Sequence, residues 1–386
     1  MEGMGVLETG NGDSERAEEK ESKGEVRAEV IGRSERNWAW TEATGVGRGV
    51  AAEMGKRGGG KETGRERTVK MENKTIITEI QLLAFSHLLG TRSLFFTLII
   101  CVYCITISGN LLIIVLVSLN RHLHVPMYFF LTQISTSDIL LITDIVPEML
   151  SIIIDENGKI ALKTCITQLY FFGVFETAEC FLLTAMSYDR YLAICDPLKY
   201  NSIMDHKFCI QLIVICWLLS ISIMLIIPIS IAQLAFCEPG IIDHFFCDIF
   251  PLLEISCSDT ILVQIEAFFL CVPILIIPFL IVLLSYVYIV LAIVRISSTT
   301  GRQKTFLTCS SHLTVVSIYY GTLISIYTVP PKGKSLSVAK VMSLFYTVFT
   351  PMLNPIIYSL RNKDIKDALK KIIQNIYRIN VCKRSQ

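Results

Sequence analysis

The first 70 residues contain no cysteine, phenylalanine or tyrosine. They hold instead 13 of the 35 Lys and Arg residues, 14 of the 34 Asp and Glu residues and 14 of the 22 glycines. Because such a segment cannot bury enough apolar surface to offset the entropy lost on ordering, we expect residues 1–70 to be disordered. Met71 resembles a second start of the chain. We therefore interpret residues 1–70 as an upstream extension or as the result of a mispredicted start.

Charged residues are scarce in seven long apolar runs after Met71. The whole chain is 52% hydrophobic with a mean hydropathy of +0.54, above the values of ordinary soluble domains. Each run is long enough for the about 20 residues of a membrane-spanning helix. The runs lie roughly at residues 94–119, 126–154, 162–194, 208–232, 261–294, 306–329 and 338–360. We therefore predict an all-α membrane protein, with an outer segment at 71–93 and a seven-helix transmembrane bundle at 94–360.

The cytoplasmic tail predicted at 361–386 is too charged to span a membrane. Its apolar residues recur at helical spacing among lysines; they are Ile365, Leu369, Ile372, Ile373 and Ile376. This pattern predicts a short amphipathic helix that lies on an anionic lipid surface.

Lys and Arg are absent from the long loop at residues 237–259. The loops after the first, third and fifth runs do carry them, as Arg121, Arg190, Lys199, Lys207, Arg295, Arg302 and Lys304. The positive-inside rule then places the tail in the cytosol and the amino terminus outside. Asn73-Lys74-Thr75 is a glycosylation acceptor, which agrees with that orientation. Lys332, Lys334 and Lys340 run against the rule in the last outer loop.

Motifs of two competing classes of protein are missing. The sequence has no His-Glu-x-x-His, Gly-x-Ser-x-Gly or similar constellation, so we expect no enzyme. An odd number of runs without internal duplication disfavours a transporter or channel. Measured ion flux would identify a transporter or channel, and measured hydrolysis would identify an enzyme.

Asp189, Arg190 and Tyr191 end the third apolar run. A charged pair at this depth is costly unless it faces protein interior or cytosol, so it marks a functional site. Other polar groups fall within the runs: Asn110 in the first, Asp138 in the second and Asn354 in the seventh. Because polar groups at membrane depth need partners, we expect these three to meet inside the bundle. Pro355, next to Asn354, permits a kink in the seventh helix.

Four longer strings surround these residues in the order of one receptor family. They are MSYDRYLAIC at 186–195, PMYFFL at 126–131, KTFLTCSSHL at 304–313 and PMLNPIIYSLRN at 351–362. Together they resemble the odorant receptors, a branch of the rhodopsin-like G-protein-coupled receptors, over about residues 71–378.

The resemblance implies a function and a location. It implies a plasma-membrane receptor, in the cilia of olfactory neurons, that binds small, mostly hydrophobic odorants from outside. It also implies activation of a stimulatory heterotrimeric G protein of the olfactory type, which raises cyclic AMP. Membrane lipid is a further expected partner, while nucleic acid and an obligatory cofactor are not expected.

Site residues carried over by the resemblance form two sets. The G-protein coupling and switch set is Asp189, Arg190, Tyr191, Tyr286, Asn354, Pro355 and Tyr358. The ligand-binding set is Phe172, Gly173, Glu176, Thr177, Leu270, Cys271, Ile274, Tyr320, Leu323, Ile324, Tyr327, Leu344 and Thr347. Its mostly apolar walls with few polar points suit small hydrophobic molecules.

Four of the 13 cysteines fall on the predicted outer side and allow 3 pairings. The resemblance selects Cys165–Cys247 and Cys237–Cys257. His244 near Cys247 offers an alternative metal site, which a disulfide at Cys247 would exclude because a bonded sulfur is no thiolate ligand.

Two acids in the third run leave alternatives open. Glu179 and Asp138 could bind a sodium ion, an allosteric modulator, or could share a proton, because two close carboxylates do not both ionise cheaply. Glu176, one turn from Glu179, is where the family usually has a small or neutral residue. It could be a neutral hydrogen-bond donor, which the apolar wall around Phe172 favours, or an ionised group selecting a cationic odorant. It could also belong to the Asp138–Glu179 network alone.

Overall fold

The computed structural model describes residues 77–85, 91–154, 158–328 and 335–384. The predicted disordered extension at 1–70 and the acceptor Asn73 lie outside these ranges. All of the described residues except Ser335 and Leu336 belong to one compact unit.

Helices occupy every apolar run predicted from the sequence. Six are continuous: α1 (Arg92–Leu119), α2 (Pro126–Ile154), α3 (Leu162–Cys195), α4 (His206–Met224), α5 (Ile261–Arg295) and α6 (Thr299–Thr328). The seventh, α7, joins Ser335–Leu344, a π-helical turn at Phe345–Phe349 and Thr350–Arg361. The amphipathic α8 follows at Lys363–Arg384. The helical prediction is confirmed, and a helix also occupies the predicted amphipathic segment.

Short elements connect the long helices. They are a 3-10 turn at Arg121–Leu123 and helices at Pro197–Ile203, Ile226–Ile231 and Ile249–Glu254. The Asp205 carboxylate caps α4 by accepting a hydrogen bond from the Phe208 amide at 2.8 Å. Helix α6 begins earlier than its apolar run, because polar residues from Thr299 onward continue the helix beyond the hydrophobic stretch.

Five helices among the described residues are long and apolar enough to cross a membrane. They are α1, α3, α4 with its continuation to Ile231, α5, and the Lys340–Ser359 part of α7. Helix α2 carries Asp138, Asp144 and Glu148, and α6 is rich in Ser and Thr, which lowers the hydropathy of both. Many side chains of α1, α4 and α5 are large, apolar and exposed, as expected of faces that meet lipid.

Helix α3 is the centre of the packing, against α2, α4 and α5. Two clusters of buried apolar side chains surround it. We call outer the end of the bundle that carries the strands, and inner the opposite end. The outer cluster includes Ile99, Ile145, Phe175 and Val348. The inner cluster includes Ile113, Phe130, Cys180 and Tyr358.

A polar layer lies between the two clusters. On each of four helices, buried polar side chains lie where the outer cluster gives way to the inner one, and they include Asn110, Asp138, Glu179 and Asn354. These residues are far apart along the chain, but their helices have similar lengths and run side by side through the bundle. The fold therefore brings the polar residues of four helices to one level.

Three short strands form a sheet at the outer end. They are β1 (Glu79–Leu82), β2 (Lys159–Ala161) and β3 (Ile241–Ile242), in the order β2-β1-β3. Strand β1 pairs antiparallel with β2, with Ile80 opposite Ile160, and parallel with β3, with Leu82 opposite Ile242. Gly158 precedes β2 with φ +48°, and a Cβ there would lie 2.2 Å from the Leu82 carbonyl oxygen. Only glycine fits this approach.

Candidate functional site

The charged pair at the inner end of α3 is closed on itself. The Arg190 guanidinium donates to the Asp189 carboxylate, which is fully buried. The Tyr200 hydroxyl donates to the other oxygen of Asp189 at 2.9 Å. Burial and the adjacent Asp189 carboxylate raise the pKa of Tyr200, so its hydroxyl stays protonated and keeps donating. Tyr200 is a partner that sequence reasoning missed, although it follows the Asp-Arg-Tyr motif closely.

Helices α5 and α6 meet through a second inner contact. The hydroxyl of Tyr286 lies 2.6 Å from Nδ1 of His312, and both side chains are buried. His312 was not predicted as a site residue, although it belongs to one of the strings that carried the resemblance. The Tyr191 ring packs edge-on against Tyr288 on α5, with centroids 6.0 Å apart. The inner ends of α3, α5 and α6 are thus connected by tyrosines.

The kink region of α7 packs closely on α1. A Cβ at Gly109 would lie 3.1 Å from Cγ of Pro355, so the absence of a side chain makes room for the proline ring. Tyr358 is fully buried, and its hydroxyl has no hydrogen-bond partner among the described residues.

Asn354 holds the polar layer together. Its Nδ2 lies 3.1 Å from both carboxylate oxygens of Asp138 and 3.1 Å from Oε1 of Glu179. Asn110 donates to the carbonyl oxygens of Thr106 and Pro351 at 3.2 and 3.1 Å. The predicted meeting is observed for Asp138 and Asn354, which Glu179 of α3 joins, whereas Asn110 bonds to the backbone of α7 at Pro351.

The two acids supply hard oxygen ligands of the kind a sodium ion takes. The Asn354 amide nitrogen, however, stands between them and donates to both. Among the described residues, no group of three or more His, Cys, Asp or Glu side chains is arranged to hold a metal ion. The Asn354 amide therefore supplies a donor to both acids, and sodium binding at Asp138 and Glu179 stays a prediction.

The predicted ligand-binding residues lie on α3, α5, α6 and α7, and they differ in how far they are buried. Gly173, Thr177, Tyr320, Leu344 and Thr347 are buried, whereas Phe172, Glu176, Leu270, Cys271, Ile274 and Leu323 are partly buried. Ile324 is 42% exposed, and the side chain of Tyr327 lies outside the described part of the chain. Most of the set lines the interior between these helices.

Aromatic contacts close the outer side of this set. The Phe172 ring packs on Phe246 of the outer loop at 5.1 Å and on Tyr346 of α7 at 6.1 Å between centroids. The Met224 side chain fills the space beside Gly173. Deeper, the Cys180 thiol lies 3.2 Å from the Tyr320 hydroxyl. Tyr346 and Phe246 were not predicted, because nothing in their local sequence distinguishes them from other buried aromatics.

The outer loop is fastened by two disulfides, Cys165–Cys247 and Cys237–Cys257, the pairs that the resemblance selected. The Cys247 amide also donates to Oε1 of Gln168 on α3, at 2.9 Å. The loop therefore lies against the outer end of α3.

His244, proposed as a metal ligand alternative, is buried between aromatic rings. It stacks on Phe245 and meets Phe246 edge-on, each with centroids 4.7 Å apart. Burial, with the nearby Lys340 ammonium as a second cause, lowers the pKa of His244 to about 3. Because the Cys247 sulfur is in a disulfide, His244 and Cys247 together provide no thiolate ligand for a metal.

Comparisons with known proteins agree with this architecture. The profile of the olfactory receptor family matches residues 99–376. Human olfactory receptor 11L1 is 44% identical over 303 residues, which cover 78% of this chain and 94% of that protein. Human olfactory receptor 5G3 is 46% identical over 78% of this chain and 96% of its own length. Rat olfactory receptor 1468 is 43% identical over 78% of this chain and 96% of its own length.

A helical bundle with a buried Asp-Arg pair at one end and a disulfide-held loop at the other defines the class as a G-protein-coupled receptor. The chain belongs to the olfactory receptor family, and the resemblance read from its motifs is confirmed. Members of this class are receptors and not enzymes.

Proposed function

We propose that this chain is an odorant receptor with seven membrane spans and an extracellular amino terminus. It binds small, mostly hydrophobic odorants from the outside and activates a stimulatory heterotrimeric G protein, raising cyclic AMP. The five strongly apolar helices support a multi-pass protein, and Ser135, Ser137 and Asp138 of α2 are buried within the bundle. The basic residues of the inner loops support the orientation.

The observation that carries this proposal is the closed Asp189–Arg190 pair. Arg190 is the basic group at the inner end of α3, and Asp189 together with Tyr200 holds it within the bundle. A charge-assisted pair of this kind has two arrangements, closed on itself or open toward a partner. In the proposed mechanism, activation releases Arg190 to engage the G protein.

The route from ligand to Arg190 runs through α3, α6 and α7. Odorants contact the predicted ligand-binding set on the outer half of these helices. Asn354 links α7 to Asp138 and Glu179 in the polar layer, below which lie Tyr358 and the Tyr286–His312 contact. Movement of α7 would change the Asn354 bonds to α2 and α3, and movement of α6 would change the Tyr286–His312 contact with α5.

An odorant panel in cells tests the proposal through cyclic AMP. The full chain should give ligand-dependent cyclic AMP with at least one odorant. Arg190→Ala should abolish that response while surface expression stays measurable, because the variant lacks the charge that engages the G protein. Arg121→Ala, at an exposed basic site in the first inner loop, serves as the control and should signal normally. Normal signalling by Arg190→Ala would overturn the assignment.

A further inference from the structure

Glu176 has an unmet hydrogen-bonding requirement in the middle of the ligand-binding set. Its Oε2 atom is enclosed by protein and has no hydrogen-bond partner among the described residues. The side chain as a whole is only partly buried. A buried carboxylate without a donor is costly, so a molecule that brings a donor to Oε2 would be stabilised there.

The hydrogen-bond donor beside Glu176 is already committed. Tyr319 on α6 directs its hydroxyl at the backbone carbonyl oxygen of Glu176, 2.9 Å away. A phenol has one proton to donate. The Tyr319 contact fixes the position of Glu176 against α6, and Oε2 of Glu176 remains without a partner among the described residues.

Lys and Arg are absent from the described stretches of α3, α5, α6 and α7 on either side of the level of Glu176. Residues 164–189, 262–294, 305–328 and 341–360 contain no Lys or Arg. Lys340, at the outer end of α7, is bonded to Asp243 and the Ala84 carbonyl oxygen. Glu176 also lies within electrostatic range of Glu179 and Asp138. Because no base in these ranges stabilises ionised acids here, an ammonium guest would supply the opposite charge that favours the ionised form of Glu176.

Aromatic rings on the outer side suit the same guest. Phe172 lies one helical turn outward from Glu176 on the same face of α3. Its contacts with Phe246 and Tyr346 put three aromatic side chains beside the carboxylate's helix face. Aromatic faces attract cations by about 0.5–2 kcal/mol, and they also cover an apolar body.

We propose that Glu176 anchors a subsite for odorants that carry a protonated amine on a small apolar body. The ammonium donates to the Glu176 carboxylate, and the apolar body packs against Phe172 and its aromatic neighbours. The inference rests on the proposed odorant-receptor function, which it narrows to a class of ligand. It also selects the ionised form among the alternatives that the sequence left open for Glu176.

The test compares ligands that differ only in their head group. The probes are n-hexylamine, cyclohexylamine and 2-phenylethylamine, each paired with the alcohol of the same carbon skeleton. Binding is measured as thermal stabilisation of the purified full-length receptor, and signalling as cyclic AMP in cells. The variant is Glu176→Gln, and the matched control is Glu266→Gln on α5, since Oε2 of Glu266 is likewise enclosed without a partner.

We expect at least one amine to bind the unmodified receptor more tightly than its alcohol. Glu176→Gln should weaken amine binding about thirtyfold or more, the lower range for removing one partner of a buried charge pair. Binding of the alcohols should change much less, and Glu266→Gln should leave the amine preference intact.

Two kinds of result overturn the subsite. One is that none of the amines stabilises the unmodified receptor. The other is that Glu176→Gln weakens amines and alcohols equally, or that Glu266→Gln weakens amines as much as Glu176→Gln does. Odorant-driven cyclic AMP without an amine preference would refute the subsite alone. Glu176-dependent amine binding without any cyclic AMP response would refute the proposed function alone.

Discussion

Several buried polar atoms have no hydrogen-bond partner among the described residues. Asn110 Oδ1, Glu176 Oε2, His312 Nε2 and the Tyr358 hydroxyl are all enclosed without a partner among the described residues. Each such group costs about 1–3 kcal/mol relative to one that is bonded. Because they lie on α1, α3, α6 and α7, a rearrangement of these helices can supply partners that the present packing does not.

His244 gives a prediction about acid stability. Its pKa is about 3 in the folded loop, below its ordinary value of about 6.5 in an unfolded chain. The unfolded state therefore binds a proton first as the pH falls, and stability is lost from pH 6.5 downward. Alone, this histidine should lower the free energy of unfolding by about 2 kcal/mol at pH 5. Melting temperatures of purified receptor between pH 7.5 and 5 measure the effect.

The variants separate His244 from other titrating groups. His244→Gln should flatten the fall of melting temperature with acid, because the side chain no longer titrates. His122→Gln, at an exposed position, should retain the slope of the unmodified protein. An identical slope in His244→Gln would show that other groups cause the acid sensitivity.

Contacts beside the outer sheet explain why one lysine of the last outer loop departs from the positive-inside rule. Lys340 opposes the positive-inside rule in the sequence, but it is buried in the structure. Its ammonium donates to Asp243 at 2.5 Å and to the Ala84 carbonyl oxygen at 2.8 Å, and it lies 5.7 Å from the centre of the Phe85 ring. Lys340 thus joins α7 to the outer loop and to the segment after β1.

We predict that replacing Asp243 and replacing Lys340 lower the stability of the receptor by unequal amounts. Asp243→Ala should destabilise the receptor by roughly 1–3 kcal/mol, because the Lys340 ammonium stays buried without its counter-ion. Lys340→Met should cost less, since the Asp243 side chain is 38% exposed and water can solvate it. Thermal unfolding of the purified variants measures both.

The double variant is the control for this pair. Asp243→Ala combined with Lys340→Met should be closer in stability to Lys340→Met than to Asp243→Ala, since no buried charge remains. Equal losses in the two single variants, adding up in the double, would mean that the ion pair contributes no coupling energy.

The whole molecule is organised around α3, with two apolar clusters separated by one polar layer. The outer cluster continues into the sheet and the disulfide-held loop, whereas the inner cluster continues into α8 through Ile365 and Ala368. In the proposed mechanism, odorant contacts belong to the outer cluster and G-protein contacts to the inner cluster. The polar layer is the boundary that the two clusters share.

At this scale we predict that residues 1–70 are dispensable. The described contacts begin at Ile77, whose amide donates to the Phe236 carbonyl oxygen at 3.0 Å, and β1 is the central strand of the outer sheet. A chain that starts at Met71 keeps all of these bonds, so its surface expression and odorant response should equal those of the full chain. Flow cytometry and the cyclic AMP assay measure both quantities.

A longer deletion is the contrasting control. Removing residues 1–84 takes away β1 and leaves β2 and β3 without their shared neighbour, so surface expression should fall sharply. A large loss already on removing residues 1–70 would assign the extension a role that its composition does not predict.

The sequence by itself determined the membrane class, the helix positions and the family. Hydrophobic runs of spanning length and the Asp189-Arg190-Tyr191 motif are local features, readable because a helix in lipid must satisfy its backbone internally. Asn110, Asp138 and Asn354 were predicted to meet because polar side chains at membrane depth need partners. Their partners could be predicted only as a group, because which amide faces which carboxylate depends on helix rotation.

Tertiary structure alone decided the contacts between distant segments. The three strands have two to four residues each, too few for a period-2 pattern, and they exist because loops from three parts of the chain meet. The burial of Lys340, the Tyr200 bond to Asp189 and the unpartnered oxygen of Glu176 likewise depend on neighbours far along the chain. Hydrophobic pattern fixes where helices form, whereas the pairing of polar atoms is fixed only when the helices pack.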